Sequence, residues 1–454
     1  MPAERRGRLQ VTLGILRLSL ARQRGDLPAV AEEAQRLLEP VEAVNVADLG
    51  MSEERRALAL ISLGIAETWS YRNDEAERHL EQGVGLARRI ERPYLELMGL
   101  AHGTHLAVVR SIALGVQRSM QAIELAGRHG WSEEPIAGVA YTQLASAKLA
   151  QGQLEEAEQW LERAERTLRA ELEPAAGMTF YWIRGGLERA RDRPERALEA
   201  FRAAERLAEL LLTPYVGAAP ARAHALQALV RLGQTDRVEA ELAKMDARER
   251  DTAFMRTVIA ALRLTGDDPQ AATVVLAPVI DGSVPAGHPV WLVEALLLEA
   301  TARDALGDAG AAQRAIERAL DAAEPDRVLY PFFLHPVREL LKRHSRHHRT
   351  HASLISQILD LITVREPASS PGKKGGWGSG RGLHEPLSPA ETRVLRYLPT
   401  NLTAPEIASQ LYLSVNTVQT HVRRLYEKLG AHRRSEAVEQ ARALGLLAPS
   451  ARRP

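Results

Sequence analysis

The sequence contains no cysteine, which removes disulfides, thiolate metal sites and thiol nucleophiles from consideration. It has no run of about 18 apolar residues, the length that a membrane-spanning helix needs. The opening Met1-Pro2-Ala3-Glu4-Arg5-Arg6 is not followed by the apolar core of a secretory leader. There is no Gly-x-x-x-x-Gly-Lys-Ser/Thr phosphate loop, because Gly372-Lys373 is followed by Lys374. No Ser/His/Asp triad pattern or metal constellation stands out either. These absences point away from an enzyme, a membrane protein and a secreted protein. The expectation is a cytoplasmic chain with no cofactor and no catalytic residue.

What is present suits folding in water. With 45 % hydrophobic and 26 % charged residues, the chain matches folded soluble proteins rather than disordered ones. Its 454 residues allow about three domains, or fewer if part of the chain is a repeat array. The net charge of +1 is unevenly spread. Residues 387–454 hold ten Lys/Arg and five Asp/Glu, or +5, so residues 1–386 carry 1 − 5 = −4. A small basic module beside a large, mildly acidic one is expected where only the small one meets a polyanion.

From Met1 to about Ala323 the pattern is one of helical pairs. Tyr141 to Leu161 has the form of a helix, a polar turn at Gly152 and a second helix. Apolar residues follow that turn at +5, +9 and +12: Ala157, Leu161 and Ala164. The same offsets give Val30, Ala34 and Leu37 from Gly25, and Ala197, Phe201 and Ala204 from Asp192. From Gly233 they give Val238, Leu242 and Met245; from Gly307, Ala312, Ile316 and Ala319. Gly266 gives Ala271 and Val275 before Pro278 breaks the pattern. The turns at 152, 192, 233, 266 and 307 are 40, 41, 33 and 41 residues apart. Nearer the N-terminus the repeats look degenerate, with turns near Asn73 and at Gly115. A small residue at the fifth position lets paired helices approach, and pairs that cannot bury their own apolar faces stack into a superhelix with a concave surface.

Two further features of this region have structural and functional readings. Trp131, Tyr141, Phe180, Tyr181, Trp182 and Tyr215 could line an effector pocket, although aromatics at helical spacing are more often core. His344, His347, His348 and His351 have metal-compatible spacing. They lie among cations with no carboxylate in the run, so a solvated basic turn is expected and no metal. Between Pro367 and Pro386, twelve of twenty residues are Gly, Pro or Ser, the composition of a flexible linker with a reach on the order of 25 Å.

After the linker, Ser388-Pro389-Ala390-Glu391 has the form of a capping box with Pro at the first helical position, opening a helix to about Leu398. Thr403-Ala404-Pro405-Glu406 repeats the device and opens a short helix to Leu411. A tight turn at Tyr412-Leu413 leads to a third helix, capped by Ser414 and ended by Gly430. Val415, Val418, Val422, Leu425 and Leu429 form its apolar stripe, with Asn416, Thr420, Arg423, Arg424, Glu427 and flanking Gln419 on the other side. A fourth helix, opened by Ser435-Glu436, carries Ala437, Val438 and Ala441 inward. Two helices joined by a three-residue turn within a four-helix module form a helix-turn-helix arrangement, whose second helix suits a DNA major groove.

Leu387-Ser388-Pro389-Ala390-Glu391, Glu406-Ile407-Ala408, Leu413-Ser414, Thr417 to Val422, Tyr426 to Gly430 and Arg433 to Val438 together resemble the LuxR-type DNA-binding domain. That resemblance covers about Leu387 to Leu447. It implies base-edge contacts from Gln419, Thr420 and Arg423. It implies phosphate contacts from Thr403, Ser414, Asn416, Thr417, Arg424 and Lys428. It also implies a dimer surface on the last helix, at Ser435, Val438, Glu439 and Arg442. Gln419 stands where a Lys is usual in the family, which favours adenine over guanine. Asn401 stands where the family has Gly, and tolerates the same left-handed geometry.

The array resembles the tetratricopeptide repeat, with spacings mostly above its period of about 34 residues and several consensus aromatics missing. It also resembles the helical sensor region of MalT-like, large ATP-binding LuxR regulators, through the segment from Pro331-Phe332-Phe333 to Ile362. Without a phosphate loop, the ATP-driven switching of that group is not carried over. The expected organisation is all-α: a TPR-like sensor or interaction domain at 1–363, a linker at 364–386, the helix-turn-helix domain at 387–447 and a tail at 448–454. The expected function is transcriptional regulation, with partners double-stranded promoter DNA, RNA polymerase, a second copy as homodimer and an unknown small-molecule or protein effector. The alternative is a helical-repeat interaction scaffold whose small domain serves docking or dimerisation.

Overall fold

The computed structural model describes residues 3–39, 49–169, 173–213, 215, 217–347 and 350–365. Toward the C-terminus it describes 391, 394–395, 397–398, 402–411, 415–429, 431 and 433–443. The chain forms two compact units, Met1–Pro367 and Ala368–Pro454. The described residues hold helices and connecting turns, with no strand. The expected linker lies outside them from residue 366 onward, as does the tail at 448–454.

Eight helical pairs make up most of the first unit. They are α1 (Ala3–Arg24) with α2 (Leu27–Leu38), α3 (Leu49–Thr68) with α4 (Asn73–Arg89), and α5 (Pro93–Arg110) with α6 (Ile112–Arg128). Next come α7 (Pro135–Ala150) with α8 (Leu154–Thr167), and α9 (Pro174–Ala190) with α10 (Pro194–Ala208). The remaining pairs are α11 (Ala218–Arg231) with α12 (Thr235–Lys244), α14 (Ala253–Thr265) with α15 (Pro269–Ile280), and α16 (Pro289–Ala305) with α17 (Ala309–Ala323). A one-turn helix, α13 (Ala247–Arg250), joins the sixth pair to the seventh. Prolines open six of these helices at a position where the missing N–H costs nothing. Asp26, Asp268 and Asp308 cap second helices by accepting from the N–H three residues on.

In seven of the eight pairs the turn is set by one residue in the left-handed region. Gly25, Gly152, Gly233 and Gly307 take it, as expected, and so does Asp192. At two places the structure corrects the expected register. The left-handed residue of the seventh pair is Asp267 (φ 58°), not Gly266. Its +5, +9 and +12 positions are therefore Ala272, Leu276 and Val279, all buried, while Ala271 and Val275 are only half-buried. Pro278 lies inside α15 and does not end it. In the second pair the left-handed residue is Tyr71, which puts the buried Ala76, Leu80 and Gly83 at the same offsets.

Gly115 is not a turn at all. It is buried within α6, and the turn is Ser111, extended and capping Leu114 N–H. A Cβ on Gly115 would lie 2.4 Å from Val108 Cγ2 and 2.9 Å from its Cα. Gly115 is thus the small residue that lets the third pair close. The N-terminal repeats are regular, not degenerate.

The array also closes on itself across long sequence distances. Leu212 and Thr213 donate N–H bonds to the carbonyls of Arg24 and Gly25, at 3.0 and 3.1 Å. Leu27 N–H returns to Thr213 Oγ1 at 3.2 Å. Asp326 Oδ1 accepts from Ser111 Oγ and Ala113 N–H. Leu329 N–H donates to Ala150 O at 2.8 Å, and Phe333 fills the space beside Gly152 where a side chain would clash. These contacts tie together parts of the array that are far apart in sequence.

One buried polar network interrupts the apolar core. Glu294 on α16, fully buried, meets Arg189 at 3.3 Å, Gln227 Nε2 at 3.1 Å and His335 Nε2 at 3.3 Å. Beside it, Trp182 Nε1–H donates to His224 Nδ1 at 2.8 Å. An indole N–H only donates, so this nitrogen carries no proton and His224 is neutral.

After α17 a 3₁₀ turn (Tyr330–Phe333) leads to α18 (Arg338–His347) and α19 (Ala352–Arg365). The basic, histidine-rich run is not a solvated turn. His344 and His351 are buried, because α18 and α19 fold back onto α17 and meet its carboxylates.

Candidate nucleic-acid interface

In the second unit, Glu391, Val394 and Leu395 are helical. They precede α20 (Ala404–Leu411), α21 (Val415–Leu429) and α22 (Arg434–Ala443). Their core joins Val394, Leu395 and Leu398 to Ile407 and Ala408, then to Val418, Leu425 and Leu429, and to Ala437, Val438 and Ala441. The expected stripe on α21 is buried from Val418 onward, with Val422 half-buried. Its first member is not part of it: Val415 is 39 % exposed, since the first turn of α21 extends past the helices that cover the rest.

Three interactions hold this core in register. Glu406 Oε2 accepts from both the N–H and the Oγ1 of Thr403, each at 2.7 Å, which is the returning half of the expected capping box. The two bonds hold the Glu406 carboxyl below its ordinary range, the Thr403 hydroxyl contributing most. Arg434 spreads its guanidinium over three main-chain oxygens, those of Tyr397 (3.0 Å), Leu398 (2.9 Å) and Leu402 (2.7 Å). Glu391, buried, takes Lys428 Nζ at 3.0 Å.

Against this frame, the residues expected to touch bases and phosphates occupy different situations. Gln419, Arg423 and Arg424 are exposed on α21, away from buried Val418 and Leu425. Thr417 and Thr420 are half-buried at the flank, and Thr403 is exposed at the start of α20. Asn416 belongs to α21, but its side chain lies outside the described residues, as does all of Ser414. Lys428 is tied to Glu391 on the core side of the helix. On α22, Ser435 is exposed and Val438 is buried within the module. The side chains of Glu439 and Arg442 lie outside the described residues.

The array carries a small, partly open cavity of about 30 Å³, lined by Arg22, Trp69, His102, Glu173 and Tyr215 among others. Trp69 and Tyr215 stack at 5.5 Å, and Arg22 reaches Glu173 at 3.4 Å. His102 is buried with neither ring nitrogen hydrogen-bonded, and burial lowers its pKa to about 4. Of the aromatics singled out in the sequence only Tyr215 lines this cavity; Phe180 and Tyr141 are core. Trp69, His102 and Arg434 escaped sequence reasoning, because nothing in their local spacing separates them from ordinary helix residues.

Comparison with known proteins gives two family matches. The family described as "MalT-like TPR region" matches residues 12–346, and "Bacterial regulatory proteins, luxR family" matches residues 385–441. Over 103 residues the chain is 36 % identical to "Probable transcriptional regulatory protein NarL" of Mycobacterium tuberculosis, covering 22 % of this chain and 47 % of that protein. Over 59 residues it is 41 % identical to "HTH-type transcriptional regulator MalT" of Yersinia pestis, covering 13 % of this chain and 6 % of that one. It thus spans about half the length of the first relative and a small part of the second. Among solved structures, BtubC (BKLC) from P. vanneervenii covers 80 % of this chain and 99 % of its own at 14 % identity. Its TM-score of 0.23 carries no argument. No described helix is long and apolar enough to cross a membrane.

Proposed function

This chain belongs to the MalT-like TPR family and carries a luxR-family module, and from that premise we propose that it is a sequence-specific DNA-binding transcriptional regulator. The observation that carries the reading is the division of α21. Val418, Leu425 and Leu429 are buried, while Gln419, Arg423 and Arg424 face outward on a module with a charge of +5. A carboxamide, with a donor and an acceptor, and a guanidinium, with paired donors, lie four residues apart and suit bidentate bonds to base edges in the major groove. Gln419, Thr420 and Arg423 are assigned to bases. Thr403, Ser414, Asn416, Thr417 and Arg424 are assigned to phosphates. Lys428 is assigned to phosphates as well, its ammonium keeping donors beyond the one that meets Glu391. Ser435, Glu439 and Arg442 are assigned to the dimer surface, with RNA polymerase as the partner of the bound dimer.

The repeats are assigned to effector sensing, supported by the cavity at Trp69 and Tyr215 with its buried, unbonded imidazole of His102. An effector acting there changes DNA affinity in the intact chain and has no effect in a Trp69→Ala variant.

Selection of bound sequences from random duplex DNA with the intact chain tests the reading. The expected result is a two-half-site motif whose affinity falls steeply and linearly with salt on a log–log plot. Arg423→Ala should lose about 1–3 kcal/mol of discrimination at one base pair of each half-site. No enriched motif, or binding indifferent to salt, would refute it.

A further inference from the structure

At the C-terminal end of the array, groups from two parts of the chain converge on one point. α17 presents Glu317, Asp321 and Glu324 at spacings of four and three, which puts them on one face. Onto that face folds His351, 3 % exposed, whose carbonyl accepts the first helical bond of α19 from Ile355 N–H. Its Nε2 lies 3.0 Å from Asp321 Oδ1 and 3.9 Å from Glu317 Oε1, and its Nδ1 lies 3.0 Å from Glu324 Oε2. The second oxygen of Glu317 lies 2.6 Å from Nε2 of the buried His344 on α18.

From this arrangement we infer a binding site for one divalent transition-metal ion of the Zn²⁺ class. His351 Nε2, Asp321 and Glu317 are its ligands. Ligand atoms of these three residues all lie within 4.8 Å of one another. Bonds of about 2.0–2.2 Å in a tetrahedral site hold donors roughly 3.3 Å apart, a value between the 3.0 and 3.9 Å measured from His351 Nε2. The fourth position is left to water.

The surroundings fit the ligands. A metal on Nε2 places the imidazole proton on Nδ1, which lies 3.0 Å from Glu324 Oε2, so a carboxylate stands on the outer side of the ligating ring. A donor set of one imidazole and two carboxylates favours Zn²⁺, Co²⁺ or Ni²⁺ over Mg²⁺, which prefers an all-oxygen octahedron with several waters.

The carboxylates that the run itself lacks are supplied in the structure by α17. Of the neighbouring cations, Arg343 is engaged by Asp304 at 2.6 Å and Lys342 by Glu339 at 2.7 Å. Three carboxylates crowd a buried imidazole, and a divalent cation relieves their mutual repulsion. The site joins α17 to α19, the last described helix of the first unit. It stands independently of any DNA activity.

The test uses the full chain, stripped with chelator and titrated with Zn²⁺ by calorimetry and with Co²⁺ by visible absorption. One ion per chain is expected, with tetrahedral Co²⁺ bands and no comparable response to Mg²⁺. Asp321→Asn, at a side chain 60 % exposed, should keep the helical circular dichroism and weaken binding about 100-fold. His351→Ala should abolish the Co²⁺ bands. Zn²⁺ should raise the thermal midpoint of the parent chain and not that of Asp321→Asn. The inference is overturned by absence of stoichiometric binding. Unchanged affinity in Asp321→Asn overturns it equally, since the ion would then sit on other histidines.

Discussion

At the scale of single residues, the buried ionisable groups decide how the array responds to substitution and to acid. Burial pushes the Glu294 carboxyl up, but its His335 bond and the charges of Arg189 and His335 pull it further down, to about 2. Its contribution is complete above its ordinary value of 4.5 and is lost as pH falls from there through about 2. His102 and His224 act at higher pH. Burial lowers the first to about 4 and the second well below 6.5, so both are neutral in the fold. An unfolded chain binds more protons there, so stability should start to fall as pH drops below 6.5. Denaturant titrations at pH 7.5, 5.5 and 4.5 check this; a midpoint that holds or rises toward pH 4.5 would contradict it. Glu294→Ala leaves Arg189 and Gln227 facing a void. It should cost about 3–5 kcal/mol in the same measurement, as expected for removing one partner of a buried pair.

At the scale of elements, the pairing rule is readable in the sequence for most pairs, and where it slips the reason is physical. The +5, +9 and +12 offsets count from whichever residue adopts the left-handed conformation. Glycine marks that residue in four pairs. Asp192, Asp267 and Tyr71 take the role in three others despite a cost of about 1–2 kcal/mol, which a sequence does not display. Gly115 misled in the opposite direction, because a glycine for close approach and a glycine for a turn are the same letter. In the C-terminal module the helices, their order and most of the core were legible, because caps and periodicity are local. The Arg434 staple and the Glu391–Lys428 pair were not, because each joins residues more than 30 positions apart. Arg434→Ala should lower the smaller unit's stability by about 2–3 kcal/mol, as charged hydrogen bonds are lost and carbonyls left bare. Calorimetry of the intact chain should show this as a downward shift of one transition with the other unmoved.

At the scale of the whole molecule, the first unit departs from the behaviour of an open repeat array, in which each pair contacts only its neighbours. Ser111 and Ala113 share Asp326, more than 200 residues away. Asp326→Ala should raise hydrogen exchange in α5, in α6 and in residues 326–333 together. Faster exchange confined to residues near 326 would show that the contact couples nothing. The histidine run makes the same point about legibility. Its partners lie some 30 residues upstream on α17, so its chemistry is a property of the packed array.

The bonds joining residues 24–27 to residues 211–213 bear on how the array can move. An open superhelix behaves as a spring, its pitch yielding a little to any small load. This one is latched: two main-chain bonds, and one that the Thr213 hydroxyl accepts from Leu27 N–H, fasten its first turn to the segment after its fifth pair. A latch has two positions. Strain applied to the array is therefore held until those bonds release together, so its conformational response has a threshold rather than a slope.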